Sequence, residues 1–174
     1  MAATFEYNED NGAQTGSPLK GTTRNTAVTQ VNWKNVDDVA TAYTSSPITA
    51  GANSFAKYQF GKFTGTFNQV SNGLWAHTAG TVGTGVVLAG KVTSTYATPS
   101  ATAISGSTDM STPIAITSGA TVLFSTVGPE GASPTSTLAA AGFSQYLVTQ
   151  VQTTASAAAG DIGTQTFTLR YNEN

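Results

Sequence analysis

Large side chains recur at every second position along several stretches of the chain, and this alternation constrains the fold more than any other feature. From Val86 to Tyr96, Val86, Leu88, Gly90, Val92, Ser94 and Tyr96 fall on one face, with Lys91, Thr93 and Thr95 on the other. A period of two places successive side chains on opposite sides of an extended backbone, which is the signature of a half-buried strand. The same period runs through Val31 and Trp33, through Val122 and Phe124, and through Phe143, Gln145, Leu147, Thr149 and Val151. It returns at the end, where Gln165, Phe167, Leu169 and Tyr171 oppose Thr166, Thr168 and Arg170. Helical periodicity is nearly absent. One candidate turn or two follows Ser133-Pro134, with Ser136 as cap and Gly142 as stop.

Turn chemistry punctuates these runs at Asp10-Asn11-Gly12, Ser46-Pro47, Ser71-Asn72-Gly73, Gly83 to Gly85, Thr98-Pro99, Gly128-Pro129 and Gly160-Asp161. Between Phe55 and Phe67 the phase slips: Tyr58 and Phe60 are in step, and Phe63, Gly65 and Phe67 are in the other step. A β-bulge at Gly61 or two separate strands would each produce that slip. The pattern predicts an all-β, antiparallel β-sandwich, immunoglobulin-like or jelly-roll, with little or no helix. Its core is predicted to hold Trp33, Phe60, Phe67, Leu88, Val92, Phe124, Leu147 and Leu169. A short echo, Ile48 to Asn53 against Ile116 to Thr121, each after a proline, marks two similar inter-strand turns.

Composition sharpens this reading. Thr, Ala, Gly and Ser fill just over half of the 174 positions, so the few large residues are needed inside. Charged residues are 9% of the chain, with a formal net charge of −2. Such a chain has no basic stripe for nucleic acid and no polybasic cluster for a membrane surface. Low charge also leaves little Coulomb repulsion against close self-association, although a compositional bias of the lineage would look the same. The absence of Cys excludes disulfides, thiolate metal sites and Cys nucleophiles. The opening residues Met1 to Glu6 lack the basic flank and apolar run of a signal peptide, and no apolar stretch is long enough to span a bilayer. Synthesis in a cytoplasm is therefore expected.

Residues that carry chemistry are sparse. His77, the one histidine, alternates with Leu74 and Ala76 and shares its face with Trp75, which reads as a surface or interface position rather than a catalytic base. Asp37-Asp38 and Glu9-Asp10-Asn11 each offer two carboxylates, but neither carries the alternating ladder of a calcium loop. The glycines from Gly80 to Gly85 lack the Lys of a phosphate loop. Trp33, Tyr43, Tyr58, Trp75 and Tyr96 would suit a sugar-stacking platform, or equally a core. No catalytic, metal or cofactor residue is nominated, and the chain reads as a non-enzyme. At the N-terminus, Asn8 to Asn25 has no large hydrophobe except Leu19 and reads either as an extended arm or as a long loop, dividing the chain into residues 1–30 and a sandwich over 31–174. The short aromatic strands Thr4 to Tyr7 and Phe167 to Tyr171 are expected at sheet edges. They make Phe5, Tyr7, Leu19, Lys20, Arg24, Arg170 and Tyr171 the candidate interface, unless the two terminal strands simply pair with each other.

The stretch Ser45-Ser46-Pro47-Ile48-Thr49 through Asn53-Ser54-Phe55-Ala56-Lys57-Tyr58, continuing as Phe63-Thr64-Gly65-Thr66-Phe67-Asn68-Gln69-Val70-Ser71-Asn72, resembles a pattern in virion proteins of tailed bacteriophages with immunoglobulin-like or related sandwich folds. The ending Thr166 to Asn172 is more weakly similar. The resemblance spans about residues 45–72 and brings no catalytic residues with it. It implies a virion component, with a capsid decoration or cement protein as the first expectation and a tail, collar or fibre-associated sandwich as the second. A carbohydrate-binding module is the alternative of another class. The implied partners are the major capsid protein or other virion proteins, with a homo-oligomer, by resemblance a trimer, and neither nucleic acid nor membrane.

Overall fold

The computed structural model of this chain describes residues 2–115, 121–160 and 162–174. Two antiparallel sheets carry the fold. The larger contains β1 (Thr4–Thr15), β2 (Lys20–Asn25), β3 (Lys57–Thr64), β5 (Val86–Thr93), β6 (Thr108–Asp109), β8 (Phe124–Ser125), β10 (Gly142–Ser144) and β11 (Tyr146–Thr153), with the main order β2-β1-β3-β11-β5-β6. The smaller has β12 (Thr166–Glu173), β4 (Val70–Ala79) and β7 (Ile114–Ala115) in that order, with β9 (Thr137–Leu138) also on β4. One short 3-10 turn, Tyr43–Ser45, is the helical element among the described residues. The turn expected after Ser136 is instead the short strand β9, because Leu138 is drawn into the core opposite Val70.

The inner faces of both sheets meet in a core of Phe63, Leu88, Phe124, Leu147 and Val151 from the large sheet, with Val70, Trp75 and Leu169 from the small one. A second apolar cluster, Tyr58, Phe60, Tyr96, Tyr146 and Val148, lies on the opposite face of the large sheet. Loops cover it: the Tyr96 hydroxyl donates to the Gly12 carbonyl, and Gln150 donates to the Ser54 and Thr102 carbonyls while accepting from the Ile104 amide. The large sheet is thus buried on both sides. Six of the eight predicted core residues are buried, and Trp33 and Val92 pack against the core from partly buried positions. Trp33 and Val31 lie in irregular chain rather than in the expected strand.

Two-sided burial explains the phase slip between Tyr58 and Phe63. β3 is one continuous strand, and its register with β1 runs unbroken from Thr4↔Thr64 to Asp10↔Tyr58, so Gly61 is not a bulge. Tyr58 and Phe60 face the outer cluster and Phe63 the inner core, and all three are simply buried. The extra residue sits in the partner strand. Pairing advances from Phe143↔Lys62 to Leu147↔Gln59, four residues on one strand against three on the other. At that bulge the Ser144 hydroxyl accepts from the Gly61 amide, which the interrupted ladder leaves free. The bulge also turns Phe143 to the outer cluster, away from the Leu147, Thr149 and Val151 face with which it alternates in sequence.

Both expected Asn-Gly turns are bulges as well. Gly12, at φ +84°, lies within β1 where the register to β2 shifts, and Asn72, at φ +53°, lies within β4 where the register to β12 shifts. Positive φ serves a bulge as readily as a turn, so the dipeptide alone does not separate the two. The actual β1–β2 turn spans residues 16–19. Of the two echoed segments, Ile116 to Ala120 lies outside the described residues, as does Asp161 of the Gly160-Asp161 turn.

Asn8 to Asn25 is neither an arm nor a loop. It forms the β1–β2 hairpin, with β1 between β2 and β3 and with Asn8, Glu9, Asp10 and Asn11 all buried. Polar composition hid this because the hairpin is held by charge pairs and backbone ladders, not by large hydrophobes. Nor do the terminal strands pair with each other: β1 lies in the large sheet and β12 edges the small one, joined by the Ala3 amide donating to Glu173 Oε1 and by stacking of Phe5 on Tyr171. Deleting residues 1–25 is therefore expected to abolish folding. A cooperative thermal transition in the 26–174 fragment, followed by circular dichroism, would show the hairpin to be dispensable.

Candidate functional site

The two carboxylate-bearing segments flagged in the sequence come together, around lysine and arginine. Strand alternation sends Glu9 to the inner face of the large sheet and Asp10 to the outer. On the inner side, Lys57 Nζ lies 3.3 Å from Glu9 Oε1 and 3.9 Å from Asp37 Oδ1, and Asn11 Nδ2 donates to both Glu9 and Asp37 at 2.7 Å. Asp37 also accepts from the Gly12 amide, which ties the coil after β2 to the hairpin. Burial pushes the Glu9 carboxyl up from the usual carboxylate range, against the lowering influence of Lys57 and Asn11. Asp38 turns away to pair with Lys34 at 2.8 Å and to accept from the Thr41 amide and hydroxyl, and these bonds hold its carboxyl well below the ordinary range.

On the outer side, Arg24 grips Asp10 with two parallel bonds of 2.8 and 2.7 Å and reaches Glu130 at 3.2 Å. The Tyr146 hydroxyl donates to Asp10 Oδ2, with Glu130 Oε2 3.2 Å from the same oxygen, and the guanidinium lies over the Phe60 ring at 4.8 Å. Burial beside Asp10 raises the Tyr146 phenol and keeps it a donor. These are structural locks: each carboxylate already has a cation or hydroxyl of the chain itself as its partner.

His77 is buried, at 1% exposure, rather than at a surface. It faces inward beside Trp75 because the inner face of β4 packs on the large sheet, and its ring lies 5.2 Å from Phe167. Neither ring nitrogen meets a partner among the described residues.

Beside the inner face of the large sheet is a cavity of about 1000 Å³. β1, β3, β5 and β11 contribute Tyr7, Gln59, Val86 and Val151, and the start of β12 contributes Phe167. The segments 28–33, 43–50, 157–160 and 162–165 line the remainder. Trp33 is fixed in the wall by donating Nε1 to Thr149 Oγ1 at 3.0 Å and by meeting Phe167 edge to face. At 46% exposure, Tyr43 is open to solvent beside it. Of the five aromatics considered as a sugar platform, Trp33 and Tyr43 line this cavity, and Tyr58, Trp75 and Tyr96 are core. Comparison of the chain with family models, with curated proteins and with solved structures finds no match in any of the three.

The candidate interface residues divide. Phe5, Phe63 and Tyr171 form one aromatic group at the joined termini, with Phe5 still 39% exposed and Arg170 exposed on β12. Leu19 and Lys20 sit exposed at the hairpin tip. Tyr7 and Arg24 do not belong with them: Tyr7 donates to Gln59 Oε1 at 2.7 Å within the cavity wall, and Arg24 is committed to Asp10 and Glu130. Sequence reasoning missed Gln59 and the small-residue segments 157–160 and 162–165. Glutamine on a strand between Tyr58 and Phe60 was the available signal for a polar group facing inward.

Proposed function

We propose that this chain is a non-enzymatic structural protein of a tailed-phage virion, a subunit that decorates or cements the capsid shell. The observation that carries the structural part is the burial of charge. Of a small complement of seven basic and nine acidic side chains, Glu9, Asp10, Lys34, Lys57 and Glu130 are buried. The surface that remains is sparsely charged and of mixed sign, and Leu19, Val39, Ile114 and Val127 protrude from it. Such a surface opposes close packing very little, and a subunit crowded onto a shell needs that property. The interior lysines, Lys34 and Lys57, and the half-buried Arg24 are locked onto carboxylates, which leaves these charged groups to specify the fold rather than to do chemistry.

Placement in a virion rests on the sequence resemblance of residues 45–72. Partners follow from the same reading: the major capsid protein or another virion protein, with further copies of this chain, through Phe5, Tyr171 and Arg170 at the joined termini and Leu19 and Lys20 at the hairpin tip. Mass spectrometry of purified particles from the source tests it. Copy number on the scale of the shell subunits is expected, a number matching a single vertex would move the protein to neck or tail, and absence from particles would overturn the reading. Among the described residues no helix is long and apolar enough to cross a membrane.

A further inference from the structure

The cavity beside the large sheet has a chemistry of its own. At about 1000 Å³ it lies at the upper end of the ~300–1,000 Å³ usual for small-molecule sites. None of the described residues that line it is charged, although Glu9 and Lys57 on the inner face of the same sheet, with Asp37 of the coil after β2, lie near it. A phosphate, a nucleotide or a fatty-acid carboxylate would find no counter-charge there and would lose its hydration without compensation.

A purely apolar occupant fits no better. Gln59 lines the cavity at 1% exposure, and its Oε1 accepts from the Tyr7 hydroxyl, which fixes the amide so that Nε2 is the free end. That Nε2 finds no acceptor among the described residues. A buried donor without a partner is uncommon, and an apolar ligand would seal it in that state. Asn32, Gln30, Thr153 and Thr166 add further amides and hydroxyls to the wall. Against these polar groups stand aromatic surfaces: Trp33, held in place by Thr149 and Phe167, and Tyr43 at the solvent side.

An occupant that suits both sets is uncharged, carries closely spaced hydroxyls and has an apolar C–H face for stacking. We infer that the cavity binds a short neutral carbohydrate, with Trp33 and Tyr43 as stacking surfaces and the wall amides of Gln30, Asn32 and Gln59 as its hydrogen-bonding groups. Amphipathic aromatic rings and a few convergent polar groups are what such a site requires. The inference is independent of where the protein resides.

The chain has only two tryptophans, Trp33 in the cavity wall and Trp75 in the core, so intrinsic fluorescence reports on the site. An array of neutral di- to tetrasaccharides, with trigalacturonate as the charged comparator, identifies a binder. Fluorescence and calorimetric titration of the full chain then measure its affinity. The fluorescence change is expected to vanish in Trp33→Phe. Tyr43→Ala, at an exposed position that leaves melting unchanged, and Gln59→Leu are each expected to weaken binding about tenfold or more. Because Gln59→Leu also removes the bond to Tyr7, its melting temperature is measured alongside, and Tyr43→Ala decides the matter if that variant does not fold. A blank array, unchanged affinity in Tyr43→Ala, or trigalacturonate binding as tightly as any neutral sugar would each overturn the assignment.

Discussion

Replacing Lys57 with Met is expected to cost about 3–5 kcal/mol at neutral pH, a large share of the stability of a domain this size. The methionine fills nearly the same volume, so the loss is electrostatic. Glu9 is 1% and Asp37 10% exposed, and without the ammonium the two carboxylates share Asn11 with no ion-pair partner among the described residues. Removing both ends of the pair behaves differently. In the double variant Lys57→Met, Glu9→Gln the new amide oxygen still accepts from Asn11, and most of the lost stability is expected to return.

The pH dependence has a definite sign. Burial raises the Glu9 carboxyl above its unfolded value, so its contribution to stability is greatest at acid pH and declines as pH rises through the raised value. Lys57 is the strongest influence holding that value down, and its removal raises it further. The Lys57→Met deficit should therefore shrink between neutral pH and about pH 5, as Glu9 takes up a proton. Urea denaturation at the two pH values measures it. A deficit below about 1 kcal/mol, or one that is equal at both pH values, would show that Glu9 and Asp37 are better solvated than their burial implies.

This lock also marks what the sequence revealed and what it hid. Antiparallel strands and most of the core were legible, because Leu88 recurs in step with Val86 and Val92, Leu147 with Val151, and Leu169 with Phe167 and Tyr171. The hairpin of Asn8 to Asn25 was not, since its partners are charges and amides whose counterparts, Lys57, Glu130 and Tyr146, lie far along the chain. No local pattern announces an ion pair closed over 48 or 106 residues. The cavity was half legible: Trp33 and Tyr43 stood out as aromatics, but Gln59 is one polar residue inside an aromatic run, and its role depends on the Tyr7 hydroxyl brought by another strand.

Phe60→Ala and Phe63→Ala are each expected to cost about 3–5 kcal/mol, although the two residues stand three apart on one strand and point to opposite faces. In a sandwich whose sheets have one wet face, one of the two would be nearly silent. Here Phe60 is fully buried among Phe143, Tyr146 and the Arg24 guanidinium, and Phe63 is fully buried among Phe5, Phe124 and Tyr171. Chemical denaturation with an unchanged slope measures both losses, and a near-zero shift for Phe60→Ala would mean that the outer cluster is not a core. The two rings have no aromatic partner in common, which yields a second expectation. The milder Phe60→Leu, Phe63→Leu double variant should lose the sum of the two single losses to within about 0.5 kcal/mol. A larger coupling would mean that the strand between them transmits strain from one core to the other, and the large sheet would then be a single packing unit rather than a wall between two.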